Sequence, residues 1–111
     1  MDQERRGLRV LFTAAAEIAP DSSPSATVAA RVTEISLQGC YLDTPAPFAV
    51  GTPVLVKIFD AAEYFEAKAT VISVKPTVGM GLAFREAKPH FLAILQKWIL
   101  AGLRNQEKSE E

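Results

Sequence analysis

The stretch YFEAKATVISVK, residues 64–75, alternates. Phe65, Ala67, Ala69, Val71 and Ser73 would share one face, and Glu66, Lys68, Thr70 and Ile72 the other. That two-residue period belongs to a half-buried β-strand, and Pro76 ends it. Upstream, residues 54–59 are apolar at every position except Lys57 and read as a partner strand, joined to the first by a turn at 60–62. Downstream, VGMGLAF at 78–84 is a short last strand, in which Gly79 and Gly81 suit a bulge or a close backbone approach. Further upstream, residues 8–18, 26–35 and 40–43 are strand candidates, the first weakened by the alanines at 14–16. Loops rich in Pro, Ser and Gly separate them at 19–25, 36–39 and 44–53.

After the last strand the period changes. From Pro89 to Asn105, Phe91, Leu92, Ile94, Leu95, Trp98, Ile99, Leu100 and Leu103 recur mostly at steps of three and four, which marks an amphipathic helix with Pro89 in its first turn. The expected organisation is a single domain over 1–111: a flexible arginine-bearing segment at 1–10, a barrel over 8–85, a helix over 88–105 and a frayed polar tail at 106–111. Six short strands and one helix point to a mainly β fold, an antiparallel barrel or strongly curled sheet whose closure removes exposed edges. The helix stripe of Phe91, Leu95, Trp98 and Ile99 either covers that barrel or forms a homodimer interface, and both placements are open.

Composition excludes several functions. A formal net charge of −1 lacks the broad basic face that sequence-independent binding of a nucleic acid polymer needs. Few aromatic residues stand beside basic ones, Phe84 next to Arg85 among them, so an interleaved set of stacking platforms for single strands is missing as well. No apolar run is long enough for a membrane span, and Asp2, Glu4 and the arginines occupy the place of a signal-peptide core. Cys40 is the only cysteine, which rules out an internal disulfide and fits a reducing cytoplasm. One His and one Cys do not make a zinc site, and the acidic residues are scattered. No catalysis, metal or cofactor is expected.

Two short features remain. RRGLR at 5–9 places Arg5 and Arg9 four residues apart, with Arg6 between them. An arginine fork matches phosphate oxygens and the O6/N7 edge of guanine. EISLQG at 34–39 places Glu34 and Ser36 two apart at a strand end, so that on a strand they would project from one face as acceptor and hydroxyl. Gly39 would allow a close backbone approach or a positive φ.

In this order, within one small β-rich chain, the two features resemble the RxxxR and (D/N)xSxxG motifs of the PilZ domain family. GCYLDTPAPFAVGTPVLVKI and VGMGLAF add the family's strand–loop–strand rhythm, and the likeness runs from about Glu4 to Trp98. The resemblance implies a six-stranded antiparallel β-barrel that binds the bacterial second messenger cyclic di-GMP. It implies that Arg5 and Arg9 grip guanine edges and phosphates, with Arg6 as an auxiliary contact. Ser36 would bond near a phosphate or ribose, and Gly39 would leave room for the ligand. The N-terminal segment would fold over the nucleotide and order on binding. With no output domain of its own, the chain would signal through a protein effector. Glu34 departs from the motif: it keeps the acceptor, moves it outward by one methylene and sets a carboxylate near the phosphates, so weaker binding is expected than with Asp or Asn. The alternative function is a degenerate PilZ-like module that binds protein and not the nucleotide.

Overall fold

A computed structural model describes residues 8–110. Six strands run in order: β1 (Val10–Pro20), β2 (Val28–Ile35), β3 (Gly39–Asp43), β4 (Pro53–Asp60), β5 (Glu63–Lys75) and β6 (Gly79–Glu86). The helix α1 follows at Pro89–Glu110. Every strand pairing is antiparallel and the sheet closes on itself in the order β1-β2-β3-β6-β5-β4, with β4 returning to β1.

Alternation builds the core. β5 turns Phe65, Ala67, Ala69 and Val71 inward, and β4 adds Val54, Val56 and Ile58. The alanines that weaken β1 as an isolated strand have a place here. Ala14 and Ala16 point inward opposite bulkier side chains, and a narrow barrel needs small residues among the large ones. Packing thus overrides intrinsic strand propensity.

The helix belongs to its own barrel. Phe91 meets Tyr64 and Phe65 at the start of β5, with ring centroids 5.3 and 6.3 Å away. Trp98 stacks on Phe12 of β1 at 4.9 Å. Gly102 lies so close to Val10 that a Cβ there would stand 2.8 Å from the valine side chain. Phe91, Leu95, Trp98 and Ile99 are all buried by these contacts, so the apolar stripe is spent within the chain. Lys97 ties the same helix to β5 through Glu63, at 2.5 Å.

Three details differ from the sequence reading. β1 continues through Pro20, because its last residues still pair with β4. The helix extends past 105 to Glu110, since Gln106, Glu107 and Lys108 are good helix formers with no Gly or Pro to stop them. Ser73 does not share the buried face of β5: an extra residue between Val71 and Ser73 shifts the register against β6 and leaves Ile72 and Ser73 both exposed. Among the described residues, no helix is long and apolar enough to cross a membrane.

Candidate functional site

The end of β2 sets the site. Val32 pairs with Leu42 and Glu34 with Tyr41, so β2 carries one residue more than β3 in this interval. The bulge puts both Val32 and Ile35 into the core and turns Glu34 outward. Without it, strict alternation would aim Glu34 at the barrel interior with Val32.

Residues 36–38 then form a tight turn. The Ser36 amide donates to the Gly39 carbonyl at 2.9 Å. The Ser36 hydroxyl oxygen accepts from the amides of Gln38 and Gly39, at 3.1 and 3.2 Å. Ser36 does not stand beside Glu34 on a strand face: it lies past the strand end, buried, with its oxygen engaged by this turn. Gly39 opens β3 against β6, where a Cβ would stand 1.9 Å from the Leu82 carbonyl oxygen. The close approach expected of this glycine is therefore to the neighbouring strand.

On the outer wall beside this turn is a groove of about 220 Å³. Arg9 and Glu34 stand at it, the turn forms one side, and Tyr41, Ile72 and Gly81 belong to its lining. Gly81 contributes no side chain; a Cβ would meet the Ser73 hydroxyl at 2.6 Å, so the glycine keeps the wall low between β5 and β3. The Tyr41 ring leans over Gly79, with Lys75 Nζ 6.0 Å from its centre, and its buried hydroxyl has no hydrogen-bond partner among the described residues.

Arg9 Nη1 meets Glu34 Oε1 at 3.3 Å, the two side chains being 68% and 38% exposed. The structure thus brings Arg9, Glu34, Ser36 and Gly39 to one groove. Arg5 and Arg6 lie outside the described residues, as does most of the segment expected to be flexible at 1–10. Tyr41, Ile72 and Ser73 were not singled out for the site by the sequence; only Gly81, a glycine inside a strand, carried a hint of close approach. Cys40, next to Gly39, faces the core, and burial pushes its thiol up to about 12. His90 is exposed in the first turn of α1 against Phe91. Among the described residues there is no group of His, Cys, Asp or Glu that could hold a metal ion.

The sequence and the fold have counterparts among known proteins. The sequence model of the PilZ domain matches residues 3–101. No curated protein matches the chain in sequence. Among solved structures, the PilZ domain of CeSA from a cellulose-synthesizing bacterium is similar at a TM-score of 0.65 and 18% identity, over 84% of this chain and 95% of that one. The PilZ domain of YcgR from Escherichia coli, solved with c-di-GMP, gives 0.71 and 17%, over 93% and 95%. The Bacillus subtilis inhibitor of motility MotI/DgrA gives 0.74 and 17%, over 93% of this chain and 51% of that one.

Proposed function

The chain belongs to the PilZ domain family, and on that premise we propose that its groove binds cyclic di-GMP and that a protein effector reads the bound state. The observation that carries this is the meeting of the two motifs: Arg9, the last residue of RRGLR, reaches the groove beside the EISLQG turn. The YcgR PilZ domain of the same fold was solved with this ligand, which supports the assignment. Arg9 would offer its fork to a guanine edge or a phosphate, and Arg5 and Arg6 would supply further contacts from the segment before it. Ser36 and Gly39 would act by holding the turn and seating it on β6, which keeps the groove wall in place.

The dimensions support a composite site. At about 220 Å³ the groove is smaller than the roughly 300–1,000 Å³ of pockets that enclose a whole small molecule. It would seat part of a cyclic dinucleotide, and RRGLR would cover the rest. The role is binding without catalysis, in the bacterial cytoplasm.

Isothermal titration with cyclic di-GMP tests this on wild type, Arg5→Ala and Arg9→Ala. Binding to wild type with at least about a tenfold loss in each variant is expected, since a charge-assisted arginine contact is worth about 1.5–3 kcal/mol. No heat with wild type at high micromolar ligand would overturn the proposal and leave the ligand-indifferent interaction module.

A further inference from the structure

We propose that Glu34 is a tethered competitor for the nucleotide: in the empty groove its carboxylate occupies Arg9, and the ligand must displace it. This rests on the assignment of the groove to cyclic di-GMP. Three features of the fold bring the pair together. The β1–β2 register matches Val10 with Ile35 and Leu11 with Glu34, so continuing it by one residue sets Arg9 diagonal to Glu34. Diagonal cross-strand neighbours are about 7–8 Å apart, within reach of long side chains. The β2 bulge turns Glu34 onto the outer wall, where Arg9 also stands. Side-chain length then closes the gap to 3.3 Å. An Asp at this position would end one carbon–carbon bond, about 1.5 Å, earlier and would hold Arg9 less closely from the same backbone.

The contest is one of like chemistry. A carboxylate and a phosphate ask the same fork for the same hydrogen bonds. The internal pair can be displaced because it is exposed, where such pairs are weak and screened. It nonetheless lowers apparent affinity, because the ligand sees only the fraction of molecules in which Arg9 is released. The freed carboxylate then remains close to the incoming phosphates and repels them. The opposite role, Glu34 as an acceptor that reads guanine N–H groups, makes the opposite prediction: removing its charge would weaken binding.

The experiment is titration of wild type, Glu34→Gln, Glu34→Asp and Arg9→Ala/Glu34→Gln with cyclic di-GMP at two ionic strengths, with circular dichroism confirming the fold of each. At about 0.05 M salt, Glu34→Gln should bind roughly three- to tenfold tighter than wild type, and the ratio should shrink toward one near 0.5 M as screening removes both the pair and the repulsion. Glu34→Asp should also bind tighter. In the Arg9→Ala background the gain from Glu34→Gln should be reduced, because the competition has no object. Binding by wild type with equal or weaker binding by Glu34→Gln at low salt overturns the inference and leaves the receptor assignment standing. Absence of heat from wild type and every Glu34 variant overturns both.

Discussion

Replacing Gly39 by Ala separates two roles for the glycine of EISLQG. If it clears space for a ligand, the substitution should impair binding and spare stability. The geometry gives the reverse emphasis. The added Cβ would stand 1.9 Å from the Leu82 oxygen, 3.0 Å from its carbonyl carbon and 3.3 Å from Ala83 Cα, all backbone atoms of β6. No flexible side chain can yield, so β3 and β6 must part by about an ångström where Gly39 pairs with Ala83. Overpacking of this kind costs about 1–3 kcal/mol. Parting the strands also strains the bond from the Phe84 amide to the Gln38 carbonyl, now 2.8 Å, and the Ser36–Gly39 turn. Each such hydrogen bond is worth about 1 kcal/mol, so a total near 3–4 kcal/mol is expected. That is a large part of the 5–15 kcal/mol of a typical domain. Urea unfolding followed by the fluorescence of Trp98, buried at the helix–barrel contact, should show the midpoint falling by about 2 M for an m-value near 2 kcal/mol/M. An unchanged midpoint, with cyclic di-GMP binding lost, would refute this reasoning and return Gly39 to the ligand.

Two further outcomes are expected. The Glu63 carboxylate is held below its ordinary value, first by its hydrogen bond with Lys97. A depressed carboxylate stabilises the fold above its unfolded pKa, and that contribution is lost as pH falls through the lowered folded pKa. The urea midpoints of wild type and Glu63→Gln should therefore differ near neutral pH and converge as pH falls through and below the ordinary carboxylate range; a gap that stays constant on acidification would contradict the pairing. Cys40 is buried with its thiol pushed up to about 12. It should resist thiol reagents at pH 8 until the protein unfolds, and rapid labelling of the native state would contradict its place in the core.

Much of the barrel was legible because β4 and β5 obey a two-residue period and α1 a 3.6-residue one. The departures share a cause. A bulge inserts a residue that looks like any other in sequence, so neither the outward turn of Glu34 nor the exposure of Ser73 could be read from alternation. The two motifs were legible by spacing, but what their residues do was only half so. Ser-x-x-Gly is also a turn signature: the hydroxyl of Ser36 is engaged in that turn, and the missing side chain of Gly39 lets it sit against β6. Tyr41 and Ile72 reach the groove through pairing across three strands, a relation that no local pattern encodes.

The closure of the sheet also restricts how the protein can be recognised. Among the described residues each of the six strands has a neighbour on both sides over at least part of its length, so no strand offers a whole free edge for an extended segment of another protein to join. Under the proposed function, an effector would instead approach side-chain surfaces such as the groove rim, the loops or the outer face of α1. Recognition of the bound state would then depend on the shape and charge of what fills the groove more than on lending a strand.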